Sequence, residues 1–64
     1  VAVWAQVDRL PDRQRQVIYL RYQADLSFEE IGQVMDITPG AARSHATTAL
    51  RTLRTRLAVA GGDE

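Results

Sequence analysis

Apolar residues recur along this chain at intervals of three and four positions, the spacing that places side chains on one face of an α-helix. No stretch alternates apolar and polar residues for long enough to predict a β-strand. The breaks in the pattern carry residues typical of helix ends, chiefly proline, serine and threonine. The pattern therefore predicts an all-α domain of four helices, at about residues 2–9, 12–23, 28–36 and 39–57.

Three of the predicted boundaries have a chemical signature. Pro11 separates the first two helices, since proline is tolerated in the first turn of a helix but not in its interior. Ser27 and Glu30 have the spacing of a capping box, in which the serine hydroxyl accepts from the Glu30 amide and the glutamate reaches back. Thr38 is a good N-cap and Pro39 a good first residue for the last helix. The predicted connections are therefore short, at 24–26 and 35–37.

Each helix has an apolar face, and together these faces predict a shared core. Gly32 lies inside the third helix at a cost of about 1 kcal/mol relative to alanine, which indicates that another backbone passes close to it. In the last helix the apolar positions form one stripe beside a second stripe that carries arginine. The predicted core positions are Val3, Trp4, Val7 and Leu10, then Val17, Ile18, Leu20 and Tyr22, then Phe28, Ile31, Val34 and Met35, and finally Ala42, Ala46, Ala49, Leu50, Leu53 and Leu57.

The third and fourth helices, with the short turn between them and a supporting helix before them, have the pattern of a helix-turn-helix. In that motif the second helix enters the major groove of DNA, and its N-terminal residues reach the base edges. Such an end needs small side chains for close approach, hydroxyls and an arginine for the bases, and helical N–H groups for a phosphate. The candidate residues are Thr38, Gly40, Ala41, Arg43, Ser44 and Thr47, with Arg51 and Arg54 further along as phosphate contacts.

Charge is distributed unevenly, although the 64-residue chain is formally neutral. Residues 1–36 are net acidic, residues 37–60 carry four arginines and no acid, and the last two residues are acidic. All eight basic residues are arginine, which is suited to bidentate contacts with phosphate and guanine. Because a partner responds to the local field, the basic last helix is compatible with nucleic-acid binding. A solvated helix face is the alternative interpretation of the arginine stripe.

Composition argues against several kinds of site. The chain has no cysteine and one histidine, so we expect no disulfide, no zinc site and no cofactor. No arrangement of nucleophile and base supports an enzyme. No apolar run is long enough to span a bilayer and no signal peptide is recognisable, so we expect a cytoplasmic protein that does not enter a membrane. We interpret the chain as a monomeric piece of a longer protein, with a folded domain at 1–58 and a flexible tail at 59–64.

Three sequence motifs, taken in order, resemble a known family. They are LPDRQRQVIYLRY at residues 10–22, LSFEEIG at 26–32 and ITPGAARS at 37–44. Together they resemble region 4 of sigma-70 class sigma factors, in the extracytoplasmic-function group, over about residues 4–57. The resemblance implies a promoter-recognition domain that binds the minus-35 element of double-stranded bacterial promoter DNA while attached to RNA polymerase.

The resemblance also implies roles for individual residues. In that family an apolar concavity grips the flap-tip helix of the polymerase β subunit, for which Trp4 and Val7 are the candidates here. Many members are also held inactive by an anti-sigma factor. Arg15 and Arg21 are candidates for phosphate contacts or for support of the fold. The DNA-facing positions carried over are Thr38, Pro39, Gly40, Ala41, Arg43, Ser44 and His45, with Arg51 and Arg54 on phosphates.

The chain departs from the family pattern at three positions. Asp36 stands where the turn normally has glycine, and aspartate tolerates a left-handed conformation less well than glycine does. Ala42 replaces the larger valine or isoleucine that packs between the two helices. Ala41 replaces a threonine common at the base-reading tip, and its methyl group offers a base only apolar contact.

Two alternatives remain open at this point. A response-regulator effector domain shares the four-helix shape and a similar capping box, although the Leu-Pro-Asp-Arg opening and the Leu-Arg-Tyr ending favour a sigma factor. The domain could instead be mainly a protein-interaction module that binds the polymerase flap or an anti-sigma factor, which the neutral net charge supports. Salt separates this module from a DNA-binding domain, because phosphate-driven binding weakens steeply as salt rises and apolar docking does not.

Overall fold

A computed structural model describes residues 3–61, with side chains through Leu57, and within that range every regular element is helical. The four helices are α1 (Val3–Val7), α2 (Asp12–Ile18), α3 (Phe28–Met35) and α4 (Pro39–Gly61). A π-helical segment, Tyr19–Gln23, directly continues α2. The predicted all-α, four-helix architecture is confirmed. None of the helices in this range combines the length and the apolar character that a bilayer crossing requires.

The predicted helix ends are wrong by a few residues at two places. α1 stops at Val7 rather than near residue 9, because Leu10 precedes a proline and is therefore disfavoured in the helical conformation. A turn replaces the helix there, with the Leu10 N–H donating to the Val7 carbonyl at 3.0 Å. α4 runs to Gly61, into the first residues of the predicted tail, while 62–64 and the predicted helix start at residue 2 lie outside the described residues.

The second predicted helix changes its winding at its end. The Ala24 N–H donates to the Tyr19 carbonyl, five residues back, at 3.1 Å, which defines a π-helical turn rather than an α-helical one. Tyr22 lies on this segment and is 54% exposed, so its assignment to the core was wrong. The following connection is short, as predicted, and reverses the chain at Asp25, whose φ is 60°.

The turn between α3 and α4 explains Gly32. A Cβ on Gly32 would stand 2.6 Å from the Ile37 carbonyl oxygen, a distance too short for any side chain. The Ile37 N–H also donates to the Gly32 carbonyl at 2.9 Å, which holds the turn against the helix. Asp36 makes the reversal itself, with φ 59° and ψ 46°, and so takes the left-handed conformation that glycine adopts more easily. The predicted close backbone approach is confirmed.

α4 packs against α1, α2 and α3, and the buried side chains form two adjacent clusters. The first cluster joins α1 and α2 to the middle of α4 and consists of Val7, Leu10, Ile18, Ala49 and Leu53. The second cluster joins α2 and α3 to the start of α4 and consists of Val17, Ile31, Ala42 and Ala46. α2 thus contributes to both clusters, Ile18 to the first and Val17 to the second.

The predicted core is wrong at several positions on the edges of the apolar faces. Val34 is 63% exposed, because it lies about 60° around α3 from Ile31, which makes the contact with α4. Leu50 is 37% exposed at the corresponding edge of the α4 stripe. In α1, Val3 and Trp4 are also exposed. Alanine at positions 42, 46 and 49 is buried as predicted, and these small side chains let α4 approach its neighbours closely.

Candidate nucleic-acid interface

The N-terminus of α4 is built by Thr38 and Pro39. The Thr38 hydroxyl oxygen accepts from the Ala41 N–H at 3.0 Å, and the Thr38 carbonyl accepts from the Ala42 N–H at 3.0 Å. The predicted cap is therefore confirmed. Because Pro39 has no N–H and the Thr38 hydroxyl already accepts from the Ala41 N–H, few N–H groups of the first turn are left for a phosphate.

One exposed surface runs along the first half of α4, and we call it the recognition face. Its middle consists of small and hydroxyl-bearing side chains, which allow another molecule to approach the helix backbone closely. Arginines stand at its edge and its far end. The residues of the recognition face are Gly40, Arg43, Ser44, Thr47, Thr48 and Arg51.

The other sequence candidates lie at different places around α4. Thr38 and Pro39 are exposed at the start of the helix, and Arg54 is exposed one turn beyond Arg51. Ala41 and His45 are only partly exposed, because both lie between the recognition face and the buried stripe of the helix. The helix therefore brings Gly40, Ser44, Thr47 and Arg51 together but turns His45 away from them.

Among the described side chains, the arginines of α4 have no acidic partner within 4.0 Å. Within residues 3–61, one ion pair has its charged atoms less than 4.0 Å apart. It joins Arg15 and Asp12 on α2, with 2.8 Å between nitrogen and oxygen. Arg15 thus has a role inside its own helix, one of the two alternatives for it. Arg43, Arg51 and Arg54 stand on a helix without acidic residues, so the recognition face presents a positive field to solvent. In the same part of the chain, no three potential ligand side chains meet as a metal site.

A contact that the sequence did not predict links α3 to the recognition face. The Arg43 guanidinium carbon lies 5.3 Å from the centre of the Phe28 ring, and the Arg21 guanidinium carbon lies 4.7 Å from the same ring centre. Arg21 also donates to the Leu26 carbonyl at 2.9 Å, so it supports the fold. Residue spacing could not reveal this arrangement, because the three residues belong to three different elements.

A second surface feature is an apolar groove between α1, the end of α2 and α4. Trp4 is 37% exposed at its rim, whereas Val7 is 1% exposed and contributes only to its floor. Of the two candidate docking residues, Trp4 is therefore the one whose side chain is open to a partner. The residues that line the apolar groove are Val3, Trp4, Val7, Ile18, Tyr22, Leu50 and Leu53.

Tyr19 fixes the position of α1 and so of this groove. Its ring stacks on Trp4 with 5.1 Å between the ring centres, and its hydroxyl donates to the Asp8 carboxylate at 2.5 Å. The hydrogen bond to Asp8 raises the pKa of Tyr19 above its ordinary value, with smaller contributions from burial and from the negative charge of Asp8. Arg15 acts in the opposite direction and lowers that pKa.

A short capped helix, a left-handed turn and a longer helix with an exposed basic face define a helix-turn-helix fold. Comparison with known proteins gives the particular family. Residues 7–55 match the family described as Sigma-70, region 4. The chain therefore belongs to the region 4 family of sigma-70 class sigma factors, whose domains serve promoter recognition, and this excludes the response-regulator alternative.

One curated relative supports the extracytoplasmic-function group. It is the ECF RNA polymerase sigma factor ShbA of Streptomyces griseus subsp. griseus, which is 40% identical over 55 residues. The match covers 83% of this chain but 29% of the relative, so the chain spans less than a third of that protein's length. No solved structure matches the chain significantly.

Proposed function

We propose that this domain binds the minus-35 element of bacterial promoters with α4 in the major groove, and that it docks on RNA polymerase to direct transcription initiation. The observation that carries the proposal is the recognition face, where hydroxyl-bearing and small side chains adjoin arginines that have no acidic partner among the described residues. Small residues permit close approach to base edges, and unpaired arginines favour an anionic backbone.

Position along α4 supports a division of roles. Gly40, Ser44 and Thr47 are exposed on the side of α4 opposite its buried stripe, so we assign them to the base edges. Thr38, Pro39 and Ala41 border them at the start of the helix, where they would contact the edge of the site. Arg51 and Arg54 come one and two turns later and would bind phosphates. His45 is the weakest of the candidates, since it is partly covered by its own domain.

The apolar groove supports docking on the polymerase. It offers an aromatic rim at Trp4 and an apolar floor, which suits the apolar side of a short helix such as the flap tip of the β subunit. An anti-sigma factor that covered the same groove would compete with the polymerase. The groove is also the observation that keeps a protein-interaction module as the second candidate function.

The DNA-binding proposal predicts the effect of removing the phosphate contacts. Arg51→Ala and Arg54→Ala should each weaken binding to all duplexes alike and lower the slope of log affinity against log salt by about one, because each releases one counterion fewer. The measurement is fluorescence anisotropy with duplexes selected from a random pool, at several salt concentrations. Arg13→Ala, which removes an exposed arginine of α2, is the charge-matched control and should leave the slope unchanged.

The docking proposal predicts a separate loss. Trp4→Ala should weaken binding of a β-flap-tip helix peptide by about 2 kcal/mol, as expected for an aromatic anchor, and leave DNA binding intact. Salt should have little effect on this peptide. If the parent chain bound the peptide but no duplex at any salt concentration, the protein-interaction module would replace the DNA-binding proposal.

A further inference from the structure

Two positive charges meet at one aromatic ring where α3 and α4 adjoin. Arg21 and Arg43 both approach Phe28, which puts their guanidiniums no further apart than about 10 Å, the Debye length in 0.1 M salt. Among the described residues, neither has a carboxylate within 4.0 Å. Two like charges this close add to the positive potential between them, and that potential attracts an anion.

The ring holds these side chains at a defined place. Phe28 is the first residue of α3 and is partly buried against the cluster that contains Ile31 and Ala42. Arg21 is anchored a second time through its hydrogen bond to the Leu26 carbonyl, which uses one of its five N–H donors. Arg43 is exposed, and among its described contacts the Phe28 ring is the one that orients its guanidinium.

The position of the ring indicates which part of DNA Arg43 would meet. In a helix-turn-helix the first helix crosses the phosphate backbone while the second enters the groove. Arg43 leans onto the first residue of that first helix, and it lies about 60° around α4 from Gly40, away from the middle of the recognition face. A guanidinium held there faces the backbone rather than a base edge.

We infer that Phe28 is a positioning residue for a phosphate site made by Arg21 and Arg43. The inference rests on the proposed DNA-binding function and specifies part of it: the ligand is a backbone phosphate of the bound duplex, and Arg43 does not read a base. Glu29 and Glu30 stand in the same turn as Phe28 and would repel a phosphate. Two arginines place more positive charge at the site to offset that repulsion than one arginine would.

The test compares Phe28→Leu with Phe28→Tyr in binding to the selected duplex. Tyrosine keeps an aromatic face for the guanidiniums, whereas leucine keeps apolar bulk without it. We expect Phe28→Tyr to bind like the parent and Phe28→Leu to bind about two- to fivefold more weakly, by the same factor on every sequence. In a background of Arg21→Ala and Arg43→Ala, the two Phe28 variants should bind equally. Urea unfolding of each variant verifies that all are folded at the temperature used.

Arg43 supplies a readout that a structural role of Phe28 would not change. Arg43→Ala should lower the slope of log affinity against log salt by about one and leave the selected sequence motif unchanged. Arg43→Lys should restore this slope but not the full affinity, since lysine does not stack on an aromatic ring as arginine does. Equal affinity of Phe28→Leu and Phe28→Tyr for the duplex, with both arginines present, would overturn the inference. So would an Arg43→Ala variant that no longer prefers one base at a single position of the selected motif. If these results came with intact, salt-dependent binding by the parent, the proposed function would stand. A parent chain that bound no duplex would overturn both.

Discussion

At the scale of single residues, two stretches of backbone pass close to each other at Gly32 in the helix-turn-helix. A Cβ at position 32 would lie 2.6 Å from the Ile37 carbonyl oxygen and 3.3 Å from the Pro39 nitrogen. Both neighbours are backbone atoms of the turn, which cannot move without displacing the start of α4. Glycine is thus required at this position by space, although it is a poor residue for a helix interior.

We therefore expect Gly32→Ala to destabilise the domain by about 1–3 kcal/mol, the usual effect of inserting an atom where there is no room. Helix propensity alone predicts the opposite sign. Gly40→Ala is the matched control, because its added Cβ would meet nothing closer than the Thr38 hydroxyl oxygen at 3.9 Å. Urea denaturation followed by circular dichroism measures both, and equal stability of the two variants would contradict this account.

At the scale of elements, α1 is held by few contacts. It has five residues, too few to be stable as an isolated helix. Val7 and the following Leu10 bury their side chains, and Tyr19 adds its stacking on Trp4 and its hydrogen bond to Asp8. One of the contacts that hold α1 beside the apolar groove therefore depends on a protonated Tyr19 hydroxyl.

This dependence has a defined sign. The pKa of Tyr19 is raised in the folded domain. The hydrogen bond to Asp8 therefore stabilises the fold fully at pH values below the pKa of an unfolded tyrosine, about 10. This stabilisation is lost as the pH rises through the pKa of Tyr19 in the folded domain. Tyr19→Phe should lack this alkaline loss of stability. Thermal unfolding between pH 8 and 11 measures it, with Tyr22→Phe, which removes an exposed tyrosine hydroxyl, as the control. Parallel curves for the parent and Tyr19→Phe would show that the hydrogen bond does not contribute.

At the scale of the whole molecule, α4 is the element on which the other helices assemble. Its buried stripe contacts α3 near its start and α1 and α2 near its middle, while its opposite side forms the recognition face. A domain of 64 residues buries little apolar area, so each large side chain in the stripe supplies a sizeable part of its stability.

Two leucines on α4 test this arrangement. Leu53 is 6% exposed within the first cluster, and Leu53→Ala should cost about 2–5 kcal/mol through the cavity it leaves. Leu50→Ala removes the same atoms from a more exposed position and should cost less than about 1 kcal/mol. Urea titration of the two variants gives the comparison, and similar losses would mean that the stripe is not the centre of the core.

Much of this molecule was predictable from local rules. Helix starts at Ser27 and Thr38, the left-handed Asp36 and the close approach at Gly32 follow from capping, backbone conformation and the absence of a Cβ, all of which act within a few residues. The alanine stripe of α4 follows from helical periodicity. The motifs also identified the family, because their order and spacing reflect the same local requirements.

Tertiary structure decided what depends on neighbours distant in sequence. The coverage of edge residues is one example, since Val34 and Leu50 fit the helical period but other elements cover them only in part. The orientation of Arg43 is another, because Phe28 and Arg21 reach it from two other elements. Periodicity identifies the face of a helix on which a side chain lies. What that side chain contacts is determined by how the helices pack, and this packing minimises exposed apolar area over the whole chain at once.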